Sequence, residues 1–174
     1  IAEYQYKSAF DKYPVFIPQQ DKQHYAARKK AETDYLVAQK NMPMTTYQQA
    51  QAYDLKSKEF QNLLTKAATE FEAIHIRYRG LPVGLFTRMM QGKCFQEQNK
   101  IGRALGIYNE VLSHRGKKLS LRNIQDQARH FRLICLNHDQ KKDYQLVVDE
   151  ASVWLTANKR KRSLLALGIR WERA

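Results

Sequence analysis

From Phe60 to Tyr78 the apolar side chains fall at helical spacing: Phe60, Leu63, Leu64, Ala67, Phe71, Ile74 and Tyr78. Residues three and four apart share one face of an α-helix, so this run makes a single stripe about five turns long. Ser57 sits where an N-cap would accept a backbone hydrogen bond, and Gly80 stands beyond the last stripe residue as a C′ candidate. A chain with such a stripe must cover it with another apolar surface. The remaining sequence offers helices for that purpose and almost nothing else. It has no Asn-Gly or Asp-Gly hairpin turn and no run of alternating β-branched residues.

The same reading extends along the chain. A short opening helix is expected around Tyr4–Phe10. Pro14 and Pro18 bracket an extended Val15–Ile17 stretch, because the proline ring fixes φ and disfavours helix just upstream. A long helix is expected from Asp21 to Asn41, ended or kinked by Pro43, with a shorter one near Thr45–Tyr53. Pro82 suits the first turn of a helix to about Gln98. Further helices are expected at Lys100–Ser113, from Ser120 to Leu136, from Asp139 or Lys142 to Ala157, and from Ser163 to Ala174. Lys159–Arg162 reads as a linker. The fold class is therefore all-α, helix following helix through short loops. The last helix carries Leu164, Leu165, Leu167, Ile169 and Trp171 and has no successor to cover them. The expectation is a fragment of a longer array, whose missing neighbour or a second copy covers that face.

One internal spacing is more specific. Gly92, Phe95, Ala104 and Tyr108 place a small residue, an aromatic three on, a small residue twelve on and an aromatic sixteen on. Two antiparallel helices approach closely only where small side chains face each other, which gives Gly92 and Ala104 that role and leaves the aromatics to fill the flanks. Arg88–Leu112 resembles the tetratricopeptide repeat family at these positions, with Val111 where the family has alanine and Gly116 where it has proline. A weaker match has Cys135, Val147 and Ala151 in the corresponding places, with Tyr144 and Trp154 packing its second helix. Gly168 would begin a third. The resemblance implies a right-handed α-solenoid of antiparallel helix pairs over residues 81–174, its last repeat truncated, preceded by a degenerate long-helix hairpin over residues 1–80.

Such arrays bind an extended peptide or a partner helix in a groove lined by their first helices. Carried over position by position, the resemblance gives Phe86, Met89, Lys93 and Gln96 from the better repeat. Arg129, Arg132 and Leu136 come from the weaker one. Three cations beside apolar anchors suit an acidic peptide, with arginine as the bidentate partner of carboxylates. The family's carboxylate-clamp asparagine is not matched.

Charge points the same way. Thirty Lys and Arg against seventeen Asp and Glu give +13. Residues 1–87 hold 12 basic and 9 acidic side chains, a balance of +3, whereas residues 88–174 hold 18 and 8, a balance of +10. Such a field attracts anionic partners. Nucleic acid is the alternative to an acidic protein, and steep salt dependence would separate the two. An accessory domain of an enzyme is a third reading.

Catalytic and metal-ligating patterns are missing from the sequence. His24, His75, His114, His130 and His138 form no His-x-x-x-His or His-Glu-x-x-His pair. There is no Gly-rich phosphate loop and no Gly-x-Ser-x-Gly elbow. Cys94 precedes a core aromatic and reads as a buried structural thiol, and Glu70 and Glu72 are too close in sequence to share a helix face. No apolar run reaches the roughly 18 residues of a membrane span. The expectation is a non-enzymatic, cofactor-free interaction scaffold within a larger bacterial protein, with compartment undetermined. Similar arrays serve bacterial envelope assembly and cell division, which suggests an envelope setting by fold analogy alone.

Overall fold

The computed structural model describes Asp11 and residues 22–116, 118–159 and 163–174. The expected opening helix, the Val15–Ile17 stretch, the Asp21 cap and most of the Lys159–Arg162 run lie outside the described residues. Those described form seven α-helices and no strand: α1 (Lys22–Ala50), α2 (Lys58–Arg77), α3 (Pro82–Glu97), α4 (Ile101–Ser113), α5 (Leu119–Asn137), α6 (Tyr144–Ala157) and α7 (Leu164–Arg173).

The start signals hold where a side chain enforces them. Ser57 Oγ accepts the Phe60 N–H at 3.1 Å, and Ser163 Oγ accepts that of Ala166 at 3.2 Å. Pro82 opens α3 at its first turn. Three expectations differ. Pro43 neither ends nor interrupts α1, which runs through it to Ala50. The lost N–H bond is offset by burial. Pro43 is fully enclosed, and Ala50, Met44 and Tyr47 on the same segment pack into the core beside α2. Gly80 is not a left-handed C′ residue, since no described glycine has positive φ; instead the Tyr78 N–H returns to the carbonyls of Ile74 and His75. Ser120 lies inside the first turn of α5, where Lys118 takes the N-cap place without a side-chain bond.

Between α3 and α4 the turn is made by Asn99, at φ 61°. The Asn99 N–H reaches the Gln96 carbonyl at 3.0 Å and the Lys100 N–H that of Phe95 at 2.9 Å, a Schellman closure with asparagine as the left-handed residue. At the far end of α4, the Gln125 side-chain amide of α5 donates to the His114 carbonyl at 2.7 Å and to those of Val111 and Leu112 at 3.3 Å. Carbonyls that the helix end leaves without a partner are thus satisfied by the next helix.

Each helix packs against its immediate neighbours in sequence. In addition the backbones of α1 and α3, of α3 and α5, and of α5 and α7 approach each other, whereas those of α2, α4 and α6 stay apart. The stripe of α2 supplies Phe60, Leu64, Ala67 and Phe71 to the larger core, which continues through Met89, Cys94, Ala104, Tyr108 and Val111 to Ala128 and Cys135. A smaller core joins Leu133, Leu136, Val147, Ala151 and Trp154 to Ala166 and Ile169. Burying each of the larger side chains is worth about 1.5–3 kcal/mol.

Two glycines permit close approach. A Cβ on Gly84 would lie 2.1 Å from the Tyr78 carbonyl oxygen, so α3 can leave the α2 turn at this angle only with glycine there. A Cβ on Gly92 would lie 2.7 Å from the Tyr108 ring and 3.0 Å from Ile107. Gly92 thus stands at the α3–α4 crossing as its spacing predicts, but its nearest neighbours there are Tyr108 and Ile107 rather than Ala104.

Candidate functional site

The structure does not bring the six groove residues to one surface. Met89 is only 1% exposed and belongs to the larger core. Gln96 is turned toward α4, accepting the Tyr108 hydroxyl at 2.8 Å. Arg132 reaches α4 and α6: its Nε donates to Asn109 Oδ1 at 2.7 Å and its guanidinium pairs with Glu150. Lys93 faces a different way, with Nζ 3.3 Å from Glu97 Oε1 and 5.0 Å from the centre of the Phe131 ring on α5. Arg129 is half-buried, and its Nε has no hydrogen-bond partner. The expected repeat positions therefore mispredict Arg132 and Gln96, because carboxylate, amide and hydroxyl partners on neighbouring helices draw these side chains toward them. Leu136, carried over with them, is buried in the smaller core.

Phe86 does line a cleft, of about 430 Å³. Its floor is the first turn of α3, with Pro82, Val83 and Phe86. One wall is α1, with Lys29, Thr33, Leu36, Val37 and Lys40; the other is the start of α5, with Ser120, Asn123 and Ile124. Because α1 and α5 both meet α3 but not each other, the gap between them is left open above that floor. The Lys40 ammonium sits 5.2 Å from the centre of the Phe86 ring. Lys29 pairs with Glu32 at 3.1 Å. The α1 contribution is absent from the sequence reading. Its signal is the spacing of residues 29, 33, 36, 37 and 40, which fall on one helix face at steps of three and four.

At the opposite end of α3 from the cleft, Glu97 joins it to α1 and the residue after it by accepting the Tyr47 hydroxyl at 2.7 Å and the Gln51 amide at 2.8 Å. Burial, reinforced by Glu97, pushes the Tyr47 phenol well above its usual range.

A second polar cluster lies where α2, α3 and α4 meet. Arg88 donates through Nε and Nη2 to Glu110 Oε2, at 3.0 and 2.5 Å, and through Nη1 to Gln91 at 2.6 Å. His75, nearly fully buried, has Nδ1 2.9 Å from the Gly84 carbonyl oxygen. A carbonyl only accepts, so Nδ1 carries the proton and Nε2 faces Glu110 Oε1 at 3.6 Å. Glu72 points into this cluster, whereas Glu70 turns to Thr46 on α1 at 2.8 Å, so the two carboxylates separate as their spacing predicts. The cluster's strongest hydrogen-bonding groups are consumed in holding three helices together.

Both cysteines are buried and free. Burial pushes each thiol up to about 12, which suppresses the reactive thiolate. Among the described residues no group of three or more His, Cys, Asp and Glu side chains could hold a metal ion, and no helix is long and apolar enough to cross a membrane.

At the C-terminus the predicted open face is only partly open. Ile169 is fully buried and Leu165 half-buried, while Leu164, Leu167 and Trp171 are 88%, 62% and 79% exposed. The uncovered stripe is thus Leu164, Leu167 and Trp171. Compared with known proteins, the chain matches no family model, no curated protein and no solved structure.

Proposed function

We propose that this chain is a non-enzymatic interaction scaffold whose helices stack as antiparallel pairs in a right-handed α-solenoid of tetratricopeptide-like form. The observation that carries this reading is the alternation of packing: the backbones of α1, α3, α5 and α7 approach in succession, whereas those of α2, α4 and α6 stay apart and α2 reaches α4 through the side chains of His75 and Glu110. Crowding on one side and separation on the other gives an inner and an outer layer, and an inner layer with gaps between its helices is a surface for another protein's segment. The polar residues of the outer cluster are engaged in internal bonds, and three cations of the basic half, Arg88, Lys93 and Arg132, are paired with carboxylates. These three are engaged within the fold; the other cations of that half suit an acidic protein partner or nucleic acid alike, and salt dependence separates the two. Within a larger protein, such a segment would dock a partner or its own neighbouring repeats.

The test is selection of binders from a random peptide display library, followed by NMR mapping of the selected peptides and titration of single-stranded oligonucleotides at two salt concentrations. Peptide-induced shifts confined to α1, α3 and α5 are the expected result. Peptides that map to α2, α4 and α6 would sink the inner-layer assignment. Tight oligonucleotide binding that collapses with salt, without peptide binding, would replace the scaffold with a nucleic-acid-binding module.

A further inference from the structure

The geometry points to an occupant for the cleft above α3: an amphipathic helix of about three turns, apolar on one face and acidic beside it, supplied by a partner protein. This rests on the proposed scaffold function. Three features of the cleft carry it.

The first is its length and direction. On α1 the lining runs from Lys29 to Lys40 along one face. At about 1.5 Å per residue that is roughly 16 Å, the length of an eleven-residue helix. The second is what the walls can and cannot satisfy. Along the α1 wall the backbone groups are occupied within the helix, and Thr33 Oγ1 already donates to the Lys29 carbonyl at 2.9 Å; the first turns of α3 and α5 leave N–H groups at one end of the cleft alone. Ser120 and Asn123 remain as polar lining on α5. An extended segment brings about two unpaired backbone groups per residue and would find few partners here. A helix satisfies its own backbone and presents only side chains. Leu36, Val37, Val83, Phe86 and Ile124 are suited to receive apolar ones.

The third is charge. Lys29, Lys40 and Glu32 are the ionised side chains of the lining, leaving the cleft with one excess positive charge. Glu32 is engaged with Lys29. The Lys40 ammonium rests on the Phe86 face, a cation held at the cleft by a π-surface rather than a carboxylate. An incoming Asp or Glu would meet it at the rim, within a chain of net charge +13.

The experiment measures fluorescence anisotropy of four labelled twelve-residue peptides against the full chain. One has leucines at i, i+3, i+4 and i+7 with Glu and Gln elsewhere. The second carries a central Pro-Pro in place of two Gln, the third replaces each Glu by Lys, and the fourth scrambles the leucine spacing. The first should bind, and the proline and scrambled forms should bind at least about tenfold more weakly, since helix and face are both lost. Lys40→Glu should weaken the first peptide about fivefold and strengthen the Lys form. Val37→Arg, at an exposed cleft position, should abolish binding without unfolding the chain, and Val153→Arg on α6 should change nothing.

Equal binding of the proline peptide would overturn the helical occupant and leave an extended one. Equal binding of the Lys peptide would overturn the charge assignment. If none of the four binds while display-selected peptides still map to α1, α3 and α5, this inference fails and the scaffold reading stands. If neither synthetic nor selected peptides bind, both fail.

Discussion

The two helix pairs that carry the internal spacing are built differently. In α3–α4 the first helix offers Gly92, and the Tyr108 ring comes so near that a methyl group would not fit without movement. Tyr108 is then wholly buried, with its hydroxyl on Gln96. In α5–α6 the residue at the corresponding sequence position, Cys135, lies in the larger core, whereas Val147 and Ala151 belong to the smaller one. There the buried anchor is Trp154, tied by its indole N–H to Asp126 at 2.7 Å, and a third helix, α7, completes the core through Ala166 and Ile169. Tyr144, expected to pack this second pair, is 54% exposed. One pair is held by a tyrosine ring seated against a glycine, the other by a large side chain and an added helix. Where glycine stands at the crossing, the two helices suffice for a tight contact; the α5–α6 pair, whose Cys135 lies in the larger core, draws on α7 to close its own.

Substitutions that add volume should separate the two most sharply. Gly92→Leu should destabilise the chain by about 3 kcal/mol or more, and Gly84→Ala by a similar amount, because the opposing atom is a backbone oxygen with nowhere to go. Val147→Ala, in the smaller core, removes volume instead and should cost about 1–2 kcal/mol. Urea denaturation of the three variants checks this. If Gly92→Leu costs no more than Val147→Ala, the distinction between the pairs is wrong. An effect below that of Gly92→Leu is expected for Trp154→Phe, which keeps a ring in the core but removes the bond to Asp126. It should lose about 1–2 kcal/mol, concentrated in α5–α7. Amide exchange resolved by helix reads this, and uniform acceleration in α2–α4 would break the comparison.

The smallest effects near neutrality are those of pH, and they grow in opposite directions away from it. Burial pushes the Cys94 thiol up to about 12 and raises the Tyr108 phenol further still. The unfolded chain ionises these groups first, so their contribution is complete below the ordinary thiol range, near 9, and is lost as pH rises toward 12. His130 is shifted the other way: burial lowers it, against the raising influence of Glu172. Its ring lies against Gly168, where a Cβ would come within 2.5 Å. The unfolded chain binds that proton first, so the α5–α7 contact should weaken as pH falls below the ordinary value of 6.5. Alkaline melting should therefore register in the α3–α4 resonances and acid loosening in those of α7. Acid loosening that persists unchanged in His130→Gln would show that another group is responsible.

Much of the fold is legible in the sequence because it is written in short-range signals. The α2 stripe, the Ser57 cap, Pro82 at the head of α3 and the Gly92–Tyr108 spacing each act within a few turns of one another. Pro43 misleads because its cost is local while its compensation, burial beside α2, is not. Gly84 gives no signal: its necessity comes from a Tyr78 carbonyl whose position depends on how the α2 turn closes. The candidate site is legible only at Phe86. Met89 obeys its apolar character and stays inside. Arg132 and Gln96 follow hydrogen-bond partners 23 and 12 residues away, which no single-helix pattern contains. The cleft's main wall belongs to α1, outside the segment that carries the repeat spacing.

The order of helix contacts also governs how the chain acquires its structure. Every helix meets only helices one or two places along the sequence. Closing contacts therefore requires only short loops, which places the chain among topologies of low contact order and fast folding. Structure can begin at α2–α4, where glycine lets backbones meet early, and extend outward one helix at a time. The helix α7 docks through Leu165, Ala166, Gly168 and Ile169 and through the Asn137 amide, which donates to Glu172. Leu164, Leu167 and Trp171 ride on the same helix that closes the smaller core, so a surface that covered that stripe would also set the persistence of α5–α7.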